Sequence, residues 1–176
     1  MTHYSKSSTL FYLATCYSRF LATGKTLPFP RRVQIQTTTL CNGYCLFCPY
    51  RQLNSASAQG VMEESLFNKI IAELNTARYF SEIVFELHNE PLMDQRIFRF
   101  IQNVKTRTNN MACTLVTNGQ LVDNYSVSEI RNSRVDRIII SLNAHYPETY
   151  ERISGLNYKR IANNIETLLT EADLRQ

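Results

Sequence analysis

Cys41, Cys45 and Cys48 lie within eight positions and are the side chains in this chain best suited to chemistry. Thiolates are soft donors that suit iron–sulfur clusters and zinc, and this spacing lets one loop deliver all three sulfurs to a single centre. Three ligands leave one metal position open. A four-iron cubane can bind a small molecule at that iron, whereas a structural zinc site is closed by a fourth Cys or His. Two plainer readings stand beside this one: a zinc site completed by His88, His145 or a distant Cys, and three free thiols packed as small apolar residues. Cys16 and Cys113 have no close thiol partner in sequence, and an odd total of five does not form a secreted disulfide framework.

Other polar groups are spaced at intervals down the chain. His88, Asn89, Glu90 and Pro91 fall together, Thr117-Asn118-Gly119 forms a turn signal, and Ser141, Asn143 and His145 form a third group. Taken alone, Glu90 is also an ordinary turn carboxylate ahead of a helix. His88 is of the residue type that relays protons, and is equally a satisfied structural histidine. Tyr44 and Tyr50 flank the cysteines, but with ten tyrosines in the chain most are packing residues.

The elements that must position these residues follow from hydrophobic period. Short β-branched runs at Val33–Thr37, Ile83–Leu87, Cys113–Thr117 and Arg137–Leu142 read as buried parallel strands. Helical spacing marks Leu66, Phe67, Ile70, Ile71 and Leu74, with Glu63 and Glu64 where the helix dipole favours negative charge. A second helix is expected from an Asp94 N-cap through Ile97, Phe98, Ile101 and Val104, a short one over Ser126–Arg131, and a last one over Tyr158–Leu169. Strand alternation predicts Glu86, His88 and Glu90 on one face and Phe85, Leu87 and Asn89 on the other. The sequence from 52 to 60 reads as a loop. The chain thus divides into an N-terminal helix and linker, residues 1–32, and an α/β core of about four parallel βα units, residues 33–176. Four strands suit an open sheet, a barrel fragment or a chain that associates. Every cysteine-bearing or turn cluster falls at the C-terminal end of a strand, the face where α/β folds place their chemistry.

With 176 residues and 44% hydrophobic composition, one domain with a substantial core is expected. The net charge of +4 is scattered and gives little support to a nucleic-acid partner. No apolar run approaches the roughly 20 residues that span a bilayer. The stretch Thr9–Leu21 contains Ser18 and Arg19 and reads less as a signal peptide than as a helix over about 6–22, packed on the domain and ended by Gly24, Pro28 and Pro30. A soluble, cytoplasmic protein is the expectation.

Cys-x3-Cys-x2-Cys with the aromatic Phe47 before its last cysteine resembles the signature of the radical S-adenosylmethionine (SAM) superfamily. Asn89-Glu90-Pro91 resembles that family's Gly-Glu-Pro motif, with Asn89, a residue that tolerates left-handed backbone, in place of glycine. Thr117-Asn118-Gly119 matches a turn common in the family, and Ser141 to His145 with Tyr150 to Gly155 is similar to its fourth-strand region. The resemblance covers about residues 33–170. It implies a partial (βα) barrel, a [4Fe-4S] cluster on Cys41, Cys45 and Cys48, and SAM held by Phe47, Asn89, Glu90, Pro91, Ser141 and Asn143. It further implies reductive cleavage of SAM to a 5′-deoxyadenosyl radical that abstracts hydrogen from an unknown peptide or small-molecule substrate. His88, beside the SAM turn, becomes a candidate for substrate contact or proton relay. A flavodoxin- or ferredoxin-like electron donor is implied as partner. The Cys48-Pro49 junction with Gly60-Val61-Met62 is similar to members carrying a C-terminal auxiliary-cluster domain of the SPASM type. That domain and the fifth and sixth barrel strands are expected to be missing from this chain, which suggests completion by another chain or a homo-oligomer. The rival reading is a noncatalytic, truncated scaffold module that binds zinc or an iron–sulfur cluster.

Overall fold

In the computed structural model, residues 6–26, 30–50, 60–76, 82–108 and 111–173 are described. Helix α1 (Lys6–Thr23) precedes strand β1 (Arg32–Ile35). Then follow α2 (Glu64–Asn75), β2 (Glu82–Phe85), a 3-10 turn (Pro91–Met93), α3 (Ile97–Arg107) and β3 (Ala112–Thr117). A second 3-10 turn (Val122–Asn124) leads into α4 (Val127–Ser133), β4 (Arg137–Ile140), α5 (Pro147–Ser154) and α6 (Tyr158–Asp173). The four strands form one parallel sheet in the order β1-β2-β3-β4, with Val33 opposite Ile83, Ile83 opposite Cys113, and Leu115 opposite Ile138. Sequential order with helical crossovers brings all four C-terminal strand ends to one edge.

All four residues of β2 are buried, as a central parallel strand requires. On one face α2 contributes Phe67, Ile71 and Leu74, and α3 contributes Phe98, Phe100, Ile101 and Val104. The Phe67 and Phe100 rings stack with centroids 4.2 Å apart. Each of these side chains contributes on the order of 1.5–3 kcal/mol by leaving water. A smaller cluster of Tyr150, Leu156 and Ile161 joins α5 and α6 to Ile140 of β4. At the opposite end of the sheet, buried Glu82 accepts hydrogen bonds from Arg32 Nε (2.7 Å) and Thr114 Oγ1 (2.8 Å), tying three strands together.

Several expectations are corrected. Helix α1 forms but is not packed on the domain: Leu10, Phe11, Leu13, Tyr17, Phe20 and Leu21 are 54% to 72% exposed. Its apolar residues are not gathered on one stripe, since Phe11 lies roughly 100° around the helix from Leu10, so docking either face leaves the other wet. Asp94 does not cap α3 directly. It closes the preceding 3-10 turn, and Arg96 occupies the N-cap position. The strand pattern stops at Phe85, so the expected alternation fails beyond it: Leu87 and His88 are both exposed while Glu90 is buried. Helix α5 was not anticipated, although Pro147 at its first turn and left-handed Gly155 at its end are the usual boundary residues. Of the predicted loop over 52–60 only Gly60 lies among the described residues, and Pro28 lies outside them.

Candidate functional site

The loop that carries the cysteines leaves β1 and is pinned first against the segment preceding α2. Thr38 and Val61 form an antiparallel bridge, Met62 N–H donates to Thr37 O (2.7 Å) and Thr39 N–H to Gly60 O (2.9 Å). The next tie comes from the loop after β2, where Glu90 N–H donates to Leu40 O (2.9 Å). Cys41 N–H donates to the Tyr50 hydroxyl (2.8 Å), and Gly43 N–H to Cys41 Sγ (3.4 Å). The rest of the loop runs along the C-terminal end of α5, where Tyr44 N–H donates to Ser154 O (2.7 Å) and Leu46 N–H to Ile153 O (2.8 Å). These two bonds use carbonyls that a helix end leaves without intrahelical partners. The corner is tight: Gly155 has φ +68°, and a Cβ there would meet Tyr44 Cβ at 3.3 Å.

All three thiols on this loop are half-buried and free of disulfides. Burial pushes the Cys41 thiol up to about 11; the Gly43 N–H opposes the rise, and the Glu90 carboxylate and the other two thiols add to it. Burial raises Cys45 as well, with Cys48 adding to it. Among the described residues, no three Cys, His, Asp or Glu side chains converge to hold a single metal ion. Cys113 stands apart in the core, its thiol pushed up by burial to about 12.

Glu90, 1% exposed, is saturated from within. Its Oε1 accepts from Leu92 N–H (3.0 Å) and the Thr117 hydroxyl (2.6 Å), and its Oε2 from Asn118 N–H (2.7 Å). Burial still raises its carboxyl above the ordinary range against those three donors. Pro91 is buried at the start of the 3-10 turn. Asn89 is not left-handed, Arg134 being the sole non-glycine with positive φ among the described residues. Instead its Oδ1 accepts from Leu87 N–H (3.1 Å), and its Nδ2 is buried without a partner.

The remaining predicted residues lie toward the rim. Ser141 is half-buried, its N–H donating to Thr117 O (2.9 Å), while Asn143 and Phe47 are exposed, Phe47 by 61%. His88 is exposed with its N–H on Gln36 Oε1 (3.4 Å), and His145 is exposed beside Tyr146. The structure thus brings together the cysteine loop, Asn89, Glu90 and the Thr117–Gly119 turn. Sequence reasoning missed two bonds at this centre, Tyr50 on Cys41 N–H and Asn118 Nδ2 on Asn42 Oδ1 (2.7 Å). It missed the α5 carbonyls too, for which Gly155 was the available sign.

Comparison with known proteins bears on the family and the fold. The profile described as Radical SAM superfamily matches residues 35–171. A probable GTP 3',8-cyclase of Methanococcus aeolicus is 25% identical over 147 residues, covering 82% of this chain and 48% of that protein. The GTP 3',8-cyclase of Heliobacterium modesticaldum is 29% identical over 123 residues, covering 69% of this chain and 37% of that protein. The chain therefore spans less than half the length of these relatives. Among solved structures, native anSMEcpe with bound AdoMet and Cp18Cys peptide superposes with a TM-score of 0.61 at 17% identity, over 82% of this chain and 41% of that one. BtrN in complex with AdoMet and 2-DOIA gives 0.59 at 17% identity, over 73% and 52%. Identity this low speaks to fold alone, and that fold is the α/β partial barrel. With its profile match extending over most of the chain, this protein belongs to the radical SAM superfamily.

Proposed function

We propose that the chain is the cluster-binding part of a radical SAM enzyme, with Cys41, Cys45 and Cys48 as ligands of a [4Fe-4S] cluster and SAM bound beside it. The observation that carries this reading is the half-buried three-thiol loop at the C-terminal edge of the sheet, tied by backbone bonds to the loop after β2 and to α5. When bound, the cluster and SAM supply reductive cleavage of SAM for hydrogen abstraction from a substrate. The residues present fit the pair: a set of three soft donors leaves one position open, and the buried Asn89 Nδ2 is a donor awaiting an acceptor. In this reading Asn89 and the backbone through Pro91 meet SAM, while the Glu90 carboxylate holds that turn from inside. Ser141, Asn143 and Phe47 border the site, and His88 stands at its mouth as a proton relay. Free thiols fit a reducing, cytoplasmic setting, and an external flavodoxin- or ferredoxin-like protein supplies the electron. The substrate is a peptide or small molecule. GTP, named in two relatives, is the first to try.

The test is anaerobic reconstitution with iron and sulfide, followed by assay for 5′-deoxyadenosine from SAM and dithionite. About four irons per chain, lost together with product formation in the Cys41→Ala/Cys45→Ala/Cys48→Ala protein, is the expected result. A chain that takes up zinc alone, or no metal, returns it to the scaffold reading.

A further inference from the structure

Asn118 is the point at which three of the loops at the sheet's C-terminal edge meet. Its backbone N–H donates to Glu90 Oε2 (2.7 Å), in the loop after β2. Its side-chain Nδ2 donates to Asn42 Oδ1 (2.7 Å), 76 residues earlier in the cysteine loop. Its Oδ1 accepts from Gln120 N–H (2.9 Å), closing the turn after β3. Asn42 sits between Cys41 and buried Gly43, so holding its side chain restrains the main chain on both sides of the first thiol. Thr117, next to Asn118, donates to the other oxygen of the same carboxylate. The backbone bond from Glu90 N–H to Leu40 O completes a ring: Leu40, Asn42, Asn118, Glu90 and back to Leu40. A closed ring of short hydrogen bonds resists a change in any one member more than separate bonds do.

We infer that Asn42 and Asn118 are positioning residues that lock the cysteine loop to the Glu90 turn, making the loops after β1, β2 and β3 a single cradle. This rests on the reading of the cysteine loop as the cluster site. The consequence for that site is register: thiols on one loop and the Asn89 amide on another keep their separation whether or not a ligand is present. The effect of Asn42 and Asn118 passes through the backbone of Cys41 on one side and of Glu90 on the other.

The decisive variants are Asn42→Ala, which removes the acceptor and leaves the β3 turn intact, and Asn42→Asp, which retains an acceptor oxygen. Hydrogen–deuterium exchange on the metal-free chain reads the lock without any cluster. In Asn42→Ala, amides of residues 41–46 and of residues 117–120 should both exchange about fivefold to tenfold faster, and Asn42→Asp should restore both. After reconstitution, Asn42→Ala should retain the iron content of the wild type but bind SAM about tenfold more weakly, with recovery in Asn42→Asp. Faster exchange confined to residues 41–46, or no change in either segment, overturns the inference, as does unchanged SAM affinity. A wild-type chain that never takes up a cluster sinks the functional reading instead, and the exchange result then still decides whether the lock exists.

Discussion

Glu90 shows how a residue's environment fixes its work. The family resemblance assigns it to SAM, yet its carboxylate is enclosed and receives three protein donors. Glu90→Ala strands those donors in a buried site, where an unsatisfied group costs about 1–3 kcal/mol. Urea unfolding should therefore show a loss of at least about 2 kcal/mol, with a smaller loss in Glu90→Gln, which keeps one acceptor. Equal losses in the two variants would mean that the hydrogen bonds do not matter. Gly119 makes a second residue-scale test. It has φ +77°, and a Cβ there would lie 2.9 Å from Ile140 Cγ2, so Gly119→Ala should cost about 1–3 kcal/mol by the same measurement. The sequence revealed Glu90, Asn118 and Gly119 as a turn carboxylate and a turn signal. It did not reveal that they touch, because contacts between loops depend on strand order and register.

The 3-10 turn and α3 are joined by a bracket that makes stability depend on pH. Burial pushes the Asp94 carboxyl up, but Arg96 donates from its backbone N–H, Nε and Nη2 and holds it below the ordinary range. Arg96 also reaches Met62 O (3.1 Å) and lies over the Phe100 ring. A lowered folded-state pKa stabilises in full above the ordinary carboxylate range, and that contribution is lost as the pH falls through the lowered value. The melting temperature of the wild type should thus drop on acidification below about pH 4 more steeply than that of Asp94→Asn. Parallel curves would remove the bracket from the account. At this scale sequence reading was most effective: period and β-branching located all four strands and the helices α2, α3, α4 and α6. Strand ends were overrun at Thr37, Leu87 and Leu142 because apolar or β-branched residues continue into loops whose backbone bonds go elsewhere.

For the molecule as a whole, the sheet and its helices carry the two hydrophobic clusters, and the described apolar side chains of α1 lie outside both. Removing residues 1–26 should therefore leave the urea midpoint of the core within error of the full chain; a large fall would show that α1 packs in solution. The sequence predicted the helix from composition but could not show whether a surface exists to receive it. None of the helices among the described residues is long and apolar enough to cross a membrane. The proposed role of the cysteine loop, at the edge where the four strands end, is to hold a cluster beside SAM. It is tested most directly by electron paramagnetic resonance of the anaerobically reconstituted, reduced protein, recorded with and without SAM, beside the Cys41→Ala/Cys45→Ala/Cys48→Ala control. The account predicts a [4Fe-4S] signal that shifts on addition of SAM and is absent from the control. A signal indifferent to SAM, or one that survives loss of the three cysteines, would contradict it.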